Sequence, residues 1–232
     1  MGATGMVVQH EDGITLRRPS ESTDMKLLKD LFANNRAWAD GIKARDPGFF
    51  TRMSEQHVPK LLWIGCSDAR VPANELLGLA PGDLFVHRNV ANLVVHTDFN
   101  ALSVVQYAVE VLRIEHIVVC GHYGCGGVRA AMQNEDHGLI DNWLRNIKDV
   151  YFKYGAELEE IRDGDQRADR LCELNVAEQV SNLCHTTIVQ NAWSKGQSLA
   201  VHGWIYGIGD GLLKDLGLCI CRPDQIPSVY RS

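Results

Sequence analysis

The chain contains no apolar run approaching the roughly 18–20 residues that a membrane-spanning helix requires. It also lacks any Lys/Arg cluster of useful length and carries a formal charge of −6, which removes the electrostatic case for nucleic acid as a partner. No Cys-x-x-Cys pair occurs, so a cysteine-based redox protein is a distant reading. The segment Met1–Asp24 lacks the basic-then-apolar layout of a secretory signal. Position 6 is neither Ser nor Thr, so the Met1-Gly2 start fails the myristoylation pattern. The cysteines form an odd set of seven: Cys66, Cys120, Cys125, Cys172, Cys184, Cys219 and Cys221. Without a signal, such a set points to metal binding or simple burial rather than a disulfide framework. A reducing, cytoplasmic compartment is the expectation, with an organelle left open.

What is present suits one well-buried α/β domain: 232 residues, 45% of them hydrophobic and 22% charged. Residues 1–24 are polar and Gly-rich and read as a flexible leader; with no linker or internal repeat beyond them, residues 25–232 read as a single domain. From Met25 to Ile42 apolar residues recur at helical spacing (Leu27, Leu28, Leu31, Phe32, Trp38), which predicts an amphipathic N-terminal arm. Four short apolar segments, Lys60–Gly65, Asp83–Asn89, His116–Gly121 and Gln197–Tyr206, read as buried parallel strands. Helical patterns lie between them at Phe99–Leu112, at Leu139–Tyr154, and at Gln166–Trp193 as one long helix or a pair. This alternation implies a central, mostly parallel sheet flanked by helices.

Cys66 and His122 each lie just beyond a predicted strand, and Cys125 follows in a Gly-rich turn containing Gly121, Gly124, Gly126 and Gly127. Ligand sites in open parallel sheets lie beyond the carboxyl ends of the strands, so segments distant in sequence deliver these side chains to one point. Two thiolates and one imidazole make three ligands, and a catalytic zinc keeps its fourth position for water or substrate. Taken singly, each of these residues could equally be a buried cysteine or a hydrogen-bonded loop histidine.

Cys66-Ser67-Asp68-Ala69-Arg70 followed by His122-x-x-Cys125 resembles the β-class carbonic anhydrases. Pro81-Gly82-Asp83 and His87-Arg88-Asn89-Val90-Ala91-Asn92 strengthen the match, which runs from about Met25 to Gly217. The family often has Ser where this chain has Ala69, a small change away from the metal. The resemblance implies zinc-dependent, reversible hydration of CO2 to bicarbonate and a proton through hydroxide made available near neutral pH. Two thiolates cancel the metal's formal charge, so an alkaline-shifted pH–rate profile is expected.

Asp68 and Arg70 read as a bidentate pair in which the carboxylate orients the attacking oxygen, or else as a loop-stabilising ion pair. The resemblance extends to members in which Asp leaves its Arg and occupies the fourth zinc position, closing the site. Those members share three further residues, here Trp63, Arg88 and Tyr206, which in that subgroup bind bicarbonate away from the zinc and favour the closed form. Read without the resemblance, Trp63 and Tyr206 are core aromatics and Arg88 is a structural partner.

His87, His96, His116, His185 and His202 lie in or beside apolar segments and are expected to be satisfied buried residues. His57 and His137 sit in polar surroundings, Cys219 and Cys221 read as incidental thiols, and Cys120 as buried in its strand. The family's dimers, wrapped by N-terminal helices and often paired into tetramers, imply a homodimer or a dimer of dimers with a small-molecule substrate and neither nucleic acid nor membrane as partner. A CS2 or COS hydrolase on the same scaffold and a non-catalytic zinc- or bicarbonate-binding protein remain rival readings.

Overall fold

A computed structural model describes residues 24–55 and 57–231. The expected leader, apart from Asp24, lies outside the described residues. The chain divides into two compact units at Gln56/His57. The first is helical, with α1 (Asp24–Arg45) and α2 (Phe49–Glu55). Within it Trp38 meets Phe50 edge-on at 5.7 Å between ring centroids, and Arg52 on α2 pairs with Asp46 in the connecting turn. Leu28, Leu31, Phe32 and Trp38 on α1 are exposed, so the apolar stripe predicted from their spacing is present and open.

The second unit is α/β. Its order is β1 (Leu61–Cys66), α3 (Ala73–Leu76), β2 (Leu84–Asn89), α4 (Phe99–Gln106), β3 (His116–His122), α5 (Gly126–Ala131), α6 (Ile140–Lys153), α7 (Gly155–Glu160), α8 (Gly164–Cys184), α9 (Thr187–Ser194), β4 (Ala200–Gly207) and β5 (Leu212–Ile220). The sheet order is β2-β1-β3-β4-β5, with every pair parallel except β4·β5. β1 and β3 are buried almost end to end, as central parallel strands covered on both faces must be. One face carries Leu62, Ile64, Ile117, Val119, Val201 and Ile205 into the main core, against Leu171, Val176 and Leu183 of α8. The opposite face holds a smaller cluster of Trp63, Val118, Cys120 and Tyr206 with Val71 and Ala73. Each fully buried Leu or Ile contributes about 1.5–3 kcal/mol, so the helix-covered face carries most of the hydrophobic stabilisation.

All four predicted strands are present, with boundaries that either hold or move by one to three residues. The Gln166–Trp193 pattern is a pair of helices. Asp163 caps α8 by accepting from the Gln166 amide, and Thr186 caps α9 by accepting from Val189. The Phe99–Leu112 helix runs as α4 and then a stretch of π-helical turns, Tyr107–Val111, before Arg113 ends it at φ 56°.

Strand β5 was not predicted. Lys214, Asp215 and Gly217 interrupt its apolar pattern, and it survives as an antiparallel edge with a bulge where Gly217 takes φ 72°. α8 packs across β3 and β4 because two glycines leave room for it: a Cβ on Gly121 would lie 2.6 Å from Val176 Cγ2, and one on Gly203 3.2 Å from Val176 Cγ1. Gly121→Ala is therefore expected to destabilise the fold by about 1–3 kcal/mol through overpacking, read as a lowered urea midpoint with an unchanged m-value. A midpoint equal to that of the parent would show that α8 yields without cost.

Candidate metal centre

β1 and β3 are adjacent and parallel, so their carboxyl ends lie side by side. Cys66 is the last residue of β1 and His122 the last of β3, one position inside the strands rather than just beyond them. After His122 the chain turns at Gly124, in left-handed conformation at φ 66°, and Cys125 stands at the cap of α5. The turn returns Cys125 to the strand ends, and its Sγ lies 3.9 Å from that of Cys66. Donor atoms of Cys66, His122 and Cys125 all fall within 4.8 Å of one another, and all three residues are buried.

The donors suit a tetrahedral soft-metal site. Zn–S bonds of about 2.3 Å at the tetrahedral angle place two sulfurs about 3.8 Å apart, matching the spacing observed. His122 Nδ1 lies 3.0 Å from the carbonyl oxygen of Tyr123, and donating to it leaves the lone pair on Nε2. Nε2 is buried and has no hydrogen-bond partner. An orphaned imidazole nitrogen facing two thiols is the arrangement a metal completes.

Electrostatics within the triad are asymmetric. The Cys125 thiol, helped by His122 and by the Asp68 and Ala91 amides, brings Cys66 down to about 4 against the opposing effect of burial. Cys125 moves up, because it donates to the Cys66 thiolate and is buried beside that charge. Burial pushes His122 down, but the neighbouring Cys66 thiolate reverses this and the net shift is upward. The two thiols thus hold one shared proton more tightly than free thiols would, and a bound cation would draw it away.

Asp68 sits at the rim of the cluster. Arg70 Nε donates to Oδ1 at 2.9 Å, Nη2 to Oδ2 at 2.7 Å, and the Arg70 amide to Oδ1 at 2.9 Å. This is a bidentate fork reinforced by the backbone. Asp68 Oδ2 lies 3.7 Å from His122 Nε2, yet the carboxylate is not part of the mutually close ligand group. An open cavity of about 550 Å³, lined by Arg70, Tyr123, Arg129, Asp169 and Ile208 among others, lies against the outer side of this pair.

Behind Cys66 runs the segment Asn89–Val94. Ala91 and Asn92 hold φ values of 64° and 49°, a left-handed conformation costing non-glycine residues roughly 1–3 kcal/mol each. The bend aims the Ala91 amide at Cys66 Sγ, 3.4 Å away. Asn89 braces it at both ends of its side chain, accepting from the Leu93 amide and donating to the Leu93 carbonyl. Sequence reasoning found neither this amide nor its bend, since alanine carries no preference for left-handed backbone; Val90-Ala91-Asn92 stood out only through the family resemblance.

Trp63, Arg88 and Tyr206 share one sheet face by strand parity and register. Trp63 and Tyr206 are buried in one cluster, and the Trp63 indole nitrogen has no partner. Arg88 is exposed, and its guanidinium donates to the carbonyls of Cys66 at 2.8 Å and Asp68 at 2.5 Å.

The histidine expectation needs correction. Only His87 is buried; His185 and His202 are half-buried, and His96 and His116 are exposed. They sit in a loop, at element ends or on the more open side of β4, where apolar neighbours in sequence do not enclose the ring. All five nonetheless have polar partners. His137 bonds locally to Glu135 and Asp141, and His57 meets Phe85 edge-on. Cys120 is buried in β3, while Cys219 and Cys221 are exposed thiols.

Comparison with known proteins agrees with this geometry. The sequence profile of the family described as Carbonic anhydrase matches residues 61–213. A carbonic anhydrase of Emericella nidulans is 48% identical over 188 residues, covering 81% of this chain and 82% of its own length. Among solved structures, a tetrameric β-carbonic anhydrase of Sordaria macrospora superposes with TM-score 0.81 at 38% identity, covering 84% of this chain and all of that one. A Coccomyxa β-carbonic anhydrase in complex with acetazolamide gives TM-score 0.82 at 40% identity, covering 85% of this chain and 90% of that one.

Arg70 holds the Asp68 carboxyl well below the usual carboxylate range. Its folded-state value is depressed, so the stabilisation from pairing is complete above the ordinary pKa near 4 and is lost only as pH falls through the lower folded value. The carbon-13 signal of the Asp68 carboxyl is accordingly expected to stay flat as pH falls from about 5 to 3, and Arg70→Ala to restore a titration toward about 4. A step between about pH 5 and 3 in the parent protein would refute the pairing.

Proposed function

We propose that this chain, which belongs to the β-class carbonic anhydrases, hydrates CO2 reversibly to bicarbonate and a proton with zinc held by Cys66, His122 and Cys125. Membership gives the enzyme class; the choice of zinc rests on the buried sulfur–sulfur–nitrogen donor set with its orphaned His122 Nε2. Zinc, when bound, supplies a Lewis acid that makes hydroxide available near neutral pH.

The protein's own groups then decide orientation. Asp68, locked by three donors from Arg70, has both oxygens fixed at the rim of the donor cluster. From there it accepts a hydrogen bond from the attacking water or hydroxide and turns the attacking lone pair toward CO2. Arg70 is 58% exposed at the side chain and Asp68 only 17%, so Arg70 is the partner that can swing away into solvent. Release would leave Asp68 free to turn toward the donor cluster and close the fourth position.

Regulation by bicarbonate is a reading that two features of the site support. Arg88 holds the carbonyls of Cys66 and Asp68, and the unpartnered Trp63 indole N–H lies on the same sheet face as Arg88 and Tyr206. An anion accepting from Trp63, Arg88 and Tyr206 would draw Arg88 off those carbonyls and loosen the segment that carries Asp68. The open apolar stripe on α1 suits a homodimer or a dimer of dimers, the latter supported by the tetrameric Sordaria relative. Seven unpaired thiols suit a reducing, cytoplasmic compartment.

Stopped-flow CO2 hydration by the zinc-loaded protein, scanned from about pH 6.5 to 9, is expected to rise with pH and to vanish in Cys66→Ser. A buffer-level rate across the range with zinc bound would sink the assignment and direct attention to CS2 and COS. For regulation, Tyr206→Phe is expected to weaken inhibition by added bicarbonate while zinc content stays at one per chain. Unchanged inhibition would remove Tyr206 from the anion site.

A further inference from the structure

The Ala91 amide reaches Cys66 only because a strained bend is held open from behind, and what holds it is a row of buried side-chain amides on α8. Asn175, Gln179 and Asn182 follow one another at helical spacing and face the Ala91–Val94 segment. Asn175 Nδ2 donates to the Ala91 carbonyl at 3.0 Å. Gln179 Nε2 donates to Asn175 Oδ1 at 3.0 Å, and Gln179 Oε1 accepts from the Val94 amide at 2.8 Å. Asn182 Nδ2 donates to the Val94 carbonyl at 3.1 Å and to Gln179 Oε1 at 3.3 Å. Asn175 and Gln179 are each only 1% exposed. From the other side, Trp143 Nε1 donates to the Val90 carbonyl at 2.9 Å.

These contacts sort the bend's backbone groups. The carbonyls of Val90, Ala91 and Val94 and the amide of Val94 go to side chains of α6 and α8, and Leu93 goes to Asn89. The Ala91 amide goes to the Cys66 sulfur. Burying two primary amides and half-burying a third is costly unless each is bonded, and all three are bonded along this ladder. The ladder makes sense as a clamp on the conformation that presents one N–H to one sulfur.

We propose that Asn175 and Gln179 are positioning residues for the metal ligand Cys66, acting through the Ala91 amide to limit how strongly that thiolate donates to the metal. The proposal rests on the reading that Cys66 ligates the metal. A hydrogen bond to a thiolate withdraws electron density from sulfur, and partners of this kind tune metal affinity and reactivity. Two thiolates leave the site with little net positive charge, so an N–H on one of them keeps the metal the stronger Lewis acid.

Cobalt(II) in place of zinc provides the test, because a thiolate-to-cobalt charge-transfer band reports directly on sulfur. The parent must show the band and Cys66→Ser must change it; failure here refutes the ligand assignment itself rather than the ladder alone. Asn175→Leu and Gln179→Met keep volume and remove the amides. Each is expected to move the band to lower energy and to shift the kcat/KM profile to higher pH, because the sulfur donates more strongly once the amide is released. Leu183→Ala, an apolar deletion on the same helix, controls for simple destabilisation and is expected to leave the band in place. If Asn175→Leu does not fold, Gln179→Met carries the test one link further from the sulfur. Bands and pH profiles equal to the parent's in folded variants, or the same changes in Leu183→Ala, would overturn the proposal.

Discussion

Two thiols and an imidazole buried at the ends of neighbouring strands form the constraint on which the rest depends. At 5%, 2% and 1% exposure, Cys66, Cys125 and His122 cannot be left as isolated ionised groups, because burial of uncompensated charge is prohibitive. Each responds through the others: the two thiols hydrogen-bond across 3.9 Å, and His122 turns Nδ1 to a carbonyl and leaves Nε2 without a hydrogen-bond partner. A cation at the centre satisfies all three at once. The parallel β1·β3 pair makes this convergence possible, since only adjacent parallel strands deliver their last residues to the same edge.

Around that centre the electrostatics are built to preserve positive charge against two sulfurs. Amides of Asp68 and Ala91 point at Cys66, Arg88 grips the backbone on either side of Ser67, and Arg70 keeps Asp68 ionised but engaged. Asp68 is therefore held by two arginines, one on its side chain and one on its carbonyl. Both arginines are exposed where Cys66, His122 and Cys125 are buried, so their bonds couple a buried donor cluster to a partly exposed rim.

The sheet is asymmetric in a way that matters for this coupling. Its helix-covered face holds the main core and the amides of α8, while the other carries Trp63, Cys120 and Tyr206 with Arg88 left exposed. The second face touches the site through the Arg88 bonds to the carbonyls of Cys66 and Asp68. Bracing from the first face reaches it through Ala91. The two routes meet on one residue, Cys66, from opposite sides of β1.

Much of this was legible in the sequence. Apolar runs bounded by turn residues gave four of the five strands, and the positions of Cys66, His122 and Cys125 near strand ends gave the donor cluster, because strand parity and the parallel sheet leave such residues little choice of direction. The Asp68-Ala69-Arg70 spacing likewise gave the fork, a contact between near neighbours. β5 escaped because an edge strand with one solvated side tolerates Lys214, Asp215 and Gly217, so no buried pattern marks it. The Ala91–Asn92 bend and its ladder from Asn175 to Asn182 were decided only by tertiary structure: the bonds join residues more than 80 positions apart, the backbone strain falls on an alanine without left-handed preference, and amides on a helix read as solvated until the sheet beneath them is in place.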